Sequence, residues 1–414
     1  MIRRAVAEAV LSDVIAACDP AARVREALGD PDLAARLAGR RRFAIAIGKA
    51  ALAMARGAGE VAEGIAVVPA GGAGALPRGW QLREASHPVP DARSVAAGNA
   101  LHALVAAARP DDIVVALLSG GASALAELPV GSLAELTATV QAVMAAGAPI
   151  DEINAVRGAL SAIKCGRLAL ASAAPVVTLA VSDVIGDSLA VIGSGPTIGP
   201  WLAAPGVEVD DGLAAVWRTA RAVLARHGVA APPALAAEPP VRRVVRRDRA
   251  ELIAAMASAA GAAVSALAAR GIAARWIEAP VAGDVAGVAQ RLAGEIGGAP
   301  VVAWGEPTVR VPRGHGDGGR AQQLALLVAR ALRGTAHGAL VVGTDGIDGP
   351  PPVDRPAPAG AWVDGATWDA IAAAGIDPDA ALARCDAGRA LAAIGGLVIT
   401  GPTGINHADL IIAG

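Results

Sequence analysis

The stretch Phe43-Ala44-Ile45-Ala46-Ile47-Gly48-Lys49-Ala50-Ala51 decides how this chain is read. An apolar run of strand length stops at a glycine, and an alanine-rich stretch of helical character follows at once. A strand apolar on both faces that passes straight into a helix belongs to a parallel sheet covered on both sides. The same alternation recurs along the chain. Further strands are predicted over 64–68, 113–118, 176–181, 301–304, 309–311, 339–342 and 397–400. Helices are predicted over 3–18, 49–57, 93–107, 132–146, 156–172, 210–227, 248–269, 283–296, 319–332 and 378–391. The implied fold class is α/β with mostly parallel sheets. A length of 414 residues suits two domains better than one. Proline clusters at Pro232, Pro233, Pro239 and Pro240, so residues 233–240 are expected to link an N-terminal domain (1–232) to a C-terminal one (241–414).

Composition excludes several classes of function. Net charge is −2 and aromatics are 2%, so no basic, aromatic-laced surface for nucleic acid is present. The hydrophobic fraction of 54% is mostly alanine, and no uninterrupted apolar run reaches transmembrane length. Glu8 and Asp13 interrupt the N-terminal apolar region, which reads as an amphipathic helix rather than a signal peptide. Three scattered cysteines (Cys18, Cys165, Cys385) point to a reducing cytoplasm and not to a disulfide or zinc framework. Lysine is the informative residue. Only Lys49 and Lys164 occur, against 34 arginines. A lysine retained in so arginine-rich a chain suggests a need for a compact ammonium, and Lys49 is read as a phosphate contact.

Glycine, serine and aspartate gather where the predicted strands end. Gly48-Lys49 opens a helix, a place that suits an anion, but the spacing is not that of a Walker A loop. Ser119-Gly120-Gly121-Ala122-Ser123 reads as a backbone cradle with two hydroxyl donors. Asn154 and Arg157 begin, and Lys164 and Arg167 end, a predicted amphipathic helix; cations at its end also complement the helix dipole. Asp183 and Asp187 follow an apolar strand on a loop suited to a magnesium ion or a general base. Gly314, Gly316 and Gly319 satisfy the dinucleotide pattern, with Asp345 as a candidate ribose acid. The separation exceeds the expected ~20 residues, and Arg320 at the helix start suits phosphate oxygens or a carboxylate better. Thr344, Asp345 and Asp348 occupy one further strand end, and Gly401-Pro402-Thr403-Gly404 another.

In this order the motifs resemble the class II glycerate kinases, the glycerate 2-kinase family with a C-terminal MOFRL domain. The resemblance runs from about residue 5 to 412. Its carriers are Gly48-Lys49-Ala50-Ala51, Ser86-His87-Pro88-Val89-Pro90-Asp91, the 119–124 loop, Ser182-Asp183-Val184-Ile185-Gly186-Asp187, Ser194-Gly195-Pro196-Thr197, Gly318-Gly319-Arg320, the 344–350 loop and the 401–404 loop. It implies a larger Rossmann-like three-layer N-terminal domain, a smaller α/β C-terminal domain and an active site in the cleft between them. It implies ATP- and Mg2+-dependent phosphorylation of D-glycerate at its 2-hydroxyl. Lys49 and Arg320 map onto the family's lysine and arginine that stabilise the transferring phosphoryl group.

Asp183 or Asp187 would bind metal or accept the hydroxyl proton, with Asp187 the candidate catalytic residue. The Ser119–Ser123 loop and Gly319 would hold substrate carboxylate or ATP phosphates. The expected partners are a small hydroxy acid and a nucleotide, with neither nucleic acid nor membrane, and a homodimer is a candidate assembly. This chain departs from the family pattern at Ala122, Cys165, Ala321 and Gln323, and in a short insertion over 351–360. An amide at position 321 is expected to tighten glycerate binding. Two other functions compete: an NAD(P)H-dependent hydroxypyruvate reductase using Gly314–Gly319, and a non-catalytic carboxylate-binding sensor.

Overall fold

A computed structural model describes residues 2–72, 74–350, 352 and 355–414. The chain divides into two compact units, Pro20–Ala254 and Met1–Asp19 with Ala255–Gly414. This differs from the expected division. Residues 233–240 lie inside the first unit, where Pro233–Leu235 forms a 3-10 turn and Leu235 is buried against neighbouring helices. Proline there shapes a packed turn, and the composition alone resembles that of a linker.

Among the described residues, eight strands belong to the first unit: β1 (Arg42–Ile47), β2 (Glu63–Pro69), β3 (Trp80–Ala85), β4 (Ile113–Leu118), β5 (Val176–Val181), β6 (Glu208–Asp210), β7 (Arg243–Val245) and β8 (Arg249–Ala254). Six of them form one parallel sheet in the order β3-β2-β1-β4-β5-β8. β6 and β7 make a separate antiparallel pair. Alternate residues of each strand enter opposite cores. Phe43, Ile45 and Ile47 pack with the helix Ala92–Ala106, whereas Ala44 and Ala46 pack with the helix Ala51–Ala58. The sheet is therefore covered on both faces, as its apolar strands require. The helix Ala92–Ala106 starts at a capping box of Asp91 and Ser94, a device worth about 1 kcal/mol. Beside the sheet, the helices Leu133–Ala145, Ile150–Ala159 and Leu213–Arg226 form their own small core.

The second unit holds β9 (Arg275–Trp276), β10 (Val301–Gly305), β11 (Gly338–Gly343), β12 (Gly360–Asp364), β13 (Leu397–Val398) and β14 (Asp409–Ala413), in the order β13-β12-β11-β14-β10-β9. Here the expected parallel pairing fails in most places. Only β10 and β9 run parallel, and the other four pairings are antiparallel. The reason is β14, which was not foreseen and enters the middle of the sheet between β10 and β11 in the reverse direction. Helices cover both faces again, with Arg4–Ala17 and Ser258–Ala268 on one and Val285–Glu295 and Arg320–Leu332 on the other.

Several predicted elements change. Residues 249–254, expected as helix, form β8. The predicted helix 156–172 is two short helices, Ile150–Ala159 and Arg167–Leu170, with Cys165 between them at φ +51°, outside the helical region. Cys385, also at φ +51°, divides the predicted helix 378–391 in the same way. Residues 309–311 are not a strand. Of the 351–360 insertion, Pro351, Val353 and Asp354 lie outside the described residues.

Candidate active site

In an open parallel sheet, ligands gather at the carboxyl ends of strands, at the point where strand order reverses. In the first unit that point lies between β1 and β4. The loops leaving these strands are Gly48-Lys49 and Ser119-Gly120-Gly121, and they are tied together. The Lys49 N–H donates to Gly120 O at 2.8 Å, and the Ala50 N–H donates to Ser119 Oγ at 3.1 Å. Ser119 is thus engaged by the chain itself. Gly48, at φ +133°, must be glycine, because a Cβ would collide with Ser119. The ties fix the Lys49 backbone and leave its side chain exposed. That side chain passes Gly121 (φ +84°), where a Cβ would press on the ring of His87 at 3.0 Å. His87 was not singled out as a site residue. Partial burial, and then the Lys49 charge, lower its pKa.

Asp183 lies against the same loop, since a Cβ on Gly120 would strike its carboxylate. Asp187 is half-buried in a turn closed by its N–H to Val184 O at 3.0 Å. Ser123 exchanges a hydrogen bond with Ser194 at 2.8 Å, which joins the cradle to the 194–197 motif. Asn154 is half-buried on the helix Ile150–Ala159.

Lys164 is not a solvated helix-end charge. It is 2% exposed and pairs with Glu127, which is 0% exposed. Arg157 lies beside this pair; burial lowers its pKa, and Glu127 opposes that shift. Burial lowers the Lys164 pKa, and Glu127 opposes that shift. Sequence reasoning passed over Glu127. The available signal was a lone acid within the apolar stretch Leu125-Ala126-Glu127-Leu128.

In the second unit, Arg320 opens the helix Arg320–Leu332. Its Nε and Nη2 donate to the two carboxylate oxygens of Asp409, at 2.7 and 2.8 Å. Asp409, also missed, heads β14 and is 2% exposed. Burial pushes its carboxyl up to about 7, although Arg320 pulls it down. The same contact overcomes the effect of burial on Arg320 and leaves its pKa above the ordinary value.

The helix start itself is closed. Asp348 accepts the N–H groups of Ala321 and Gln322 at 2.9 and 2.8 Å, and Nε2 of Gln322 at 2.9 Å. Gly319 leaves room for that carboxylate, since a Cβ there would collide with it. Thr344 is likewise spent on the chain, donating to Ala408 O and accepting from the His407 N–H, both at 2.7 Å. Asp345 accepts the Ile347 N–H at 3.1 Å. Ala122 and Ala321 are buried in apolar cores, at 3% and 0% exposure. The expectation that an amide at 321 would reach substrate is therefore corrected: an asparagine there would be buried in the core.

Two α/β units, one carrying Lys49 at a strand end and the other Arg320 at a helix start braced by Asp409, make a two-unit α/β protein with a cation in each unit suited to meet an anion. Two family models match the chain: a domain of unknown function (DUF4147) over residues 6–235 and the MOFRL family over 299–409. The D-glycerate 2-kinase of Thermotoga maritima is 35% identical over 396 residues, spanning 89% of this chain and 89% of its own. The glycerate 2-kinase of Pyrococcus horikoshii is 32% identical, spanning 90% and 86%. A protein of Agrobacterium vitis that bears the name of a hydroxypyruvate reductase is 38% identical, spanning 81% and 78%. The crystal structure of glycerate kinase from Thermotoga maritima matches with a TM-score of 0.86 at 33% identity, over 99% of this chain and 98% of that one. The chain belongs to the glycerate 2-kinase family, with a DUF4147 domain followed by a MOFRL domain.

Proposed function

We propose that this chain transfers the γ-phosphoryl group of ATP to the 2-hydroxyl of D-glycerate and releases 2-phosphoglycerate. The observation that carries the reading is the mounting of Lys49. One of only two lysines stands exposed at the switch point of the sheet, its backbone pinned between Gly48 and the Gly120 carbonyl. Phosphoryl transfer asks a protein for positioned cations around spreading negative charge and for little covalent chemistry. Lys49 supplies a point charge. Arg320 spends Nε and Nη2 on Asp409 and keeps its Nη1 donors for an anion. Asp187 or Asp183 takes the proton that the hydroxyl gives up.

Among the described residues no cluster of three or more metal ligands exists. Magnesium binds through one or two carboxylates and fills its shell with phosphate and water. Asp183, against the glycine loop, is the residue placed to hold it, with Asp187 second, and the ion would neutralise phosphate charge. No helix among the described residues is long and apolar enough to cross a membrane.

The reductase reading needs the N–H groups after Gly319 to meet a pyrophosphate. Asp348 already occupies those of Ala321 and Gln322, so NADH and NADPH are expected to remain unoxidised with hydroxypyruvate. The product separates the kinase reading from a 3-kinase. Enolase with pyruvate kinase should consume it without added phosphoglycerate mutase. A strict mutase requirement would mean that phosphate went to the 3-hydroxyl.

Asp409 gives a second test. Its carboxyl sits at about 7 in the fold and near 4 in an unfolded chain. Between these values the folded state keeps a proton that the unfolded state has released. Stability therefore falls as pH rises through that window, and above it the loss is complete and changes no further with pH. Orientation of Arg320 runs the other way, because only the ionised carboxylate accepts the full fork. The pH profile of kcat should fall below about pH 7, and Asp409→Asn should remove that inflection. An inflection that survives the substitution assigns it to another group.

A further inference from the structure

Lys164 and Glu127 form a buried ion pair, and Arg157 lines the same wall. Two cations thus face one carboxylate, whose other oxygen accepts the Leu128 N–H at 2.9 Å. One carboxylate serves both the buried Lys164 and the half-buried Arg157, and the excess positive charge favours an anion. The space in front of these groups is a cavity of about 450 Å³. At one side it reaches Gly121 and His87, beside Lys49. Its other wall is the helix Leu133–Ala145, which presents Leu136, Val140 and Met144 from successive turns of one face. Cavities of roughly 300–1,000 Å³ hold drug-sized molecules, and D-glycerate is far smaller. Met144, at 52% exposure, is an apolar side chain left to water at this wall.

We infer that the cavity receives the phosphoryl acceptor, and that it accepts, beyond glycerate, 2-hydroxy acids carrying a longer apolar chain. The carboxylate rests on Arg157 and Lys164. The chain lies along Leu136, Val140 and Met144, and the 2-hydroxyl points towards the Lys49 loop. Glu127 is a positioning residue: it holds the two cations in convergence and does not touch the acid. The proposal rests on the kinase reading. The acceptor oxygen forms a bond to the γ-phosphorus of ATP, and the bond from that phosphorus to the bridging oxygen breaks. The electron pair leaves with ADP, and the hydroxyl proton passes to the Asp183 or Asp187 carboxylate.

The test compares D-glycerate with 2-hydroxybutanoate and 2-hydroxy-4-methylpentanoate, by ADP release with ATP and magnesium and by calorimetric titration of each acid without ATP. The longest acid should show a KM and a Kd about tenfold below those of glycerate, the scale set by one or two methylenes in an apolar pocket. Met144→Trp, at a half-exposed position, should erase that preference. Glu127→Gln, nearly isosteric, should raise KM for every acid while changing kcat much less. Glycerate turnover with no binding of the longer acids overturns the proposal and leaves the kinase reading standing. Binding of the longer acids without ADP release from any acid removes the kinase reading and keeps the cavity assignment. A Met144→Trp effect on the KM for ATP in place of the acid overturns the proposal, because the wall then belongs to the nucleotide.

Discussion

Lys49→Ala is expected to lower kcat by about two to three orders of magnitude, the scale of losing one transition-state donor, while the melting temperature stays near that of the parent protein. The separation of the two effects follows from the site. What holds the loop is backbone: the Lys49 N–H on Gly120, the Ala50 N–H on Ser119, and the close approach of Gly48. None of these uses the lysine side chain, which is exposed and contributes little burial. Steady-state assays with saturating glycerate and ATP, alongside thermal melts, check both halves. Parent-like kcat in a folded variant would take Lys49 out of the chemistry.

Arg320→Lys is expected to cost about 10²-fold in kcat, despite conserving charge. Arginine here does two jobs at once. Nε and Nη2 engage both oxygens of Asp409, and Nη1 makes no bond to it. An ammonium is a point charge on a flexible stem. If it pairs with Asp409 it is withdrawn from the phosphoryl group, and if it reaches outward it leaves a carboxylate that is 2% exposed without its partner. Near-full activity with an intact fold would reduce Arg320 to a helix-end charge.

The parts of this molecule that were legible in its sequence are those with local signals. β1, β4 and β5 are apolar on both faces, and their glycine-rich ends fall where the sheet places ligand loops. β3 was missed because it is an edge strand, mostly part-exposed, with Gln81, Arg83 and Glu84 in it. β8 was read as helix because Arg249-Ala250-Glu251-Leu252 favours helix locally. Pairing with β5 overrides that preference. β14 gives no sign of its direction, which is set by neighbours far away in sequence. The site divides in the same way. Lys49, Asp183 and Arg320 lie in recognisable motifs, whereas Glu127 and Asp409 are single acids in apolar surroundings, and only their partners reveal them. Asp348 carries a motif, but its carboxylate turned out to cap a helix.

The order in which the chain is made bears on how this molecule matures. The helix Arg4–Ala17 packs against Ser258–Ala268 and under β11 and β14, all of which lie beyond the whole of Pro20–Ala254 in sequence. On the ribosome the intervening unit emerges complete while that first helix still lacks its core. Ala7, Val10, Leu11 and Val14, fully covered in the finished structure, stay wet for more than half of synthesis. Contacts of such long range form slowly. Burial of the nascent amphipathic helix therefore waits on residues 255–414, the same stretch that brings Arg320 to Asp409.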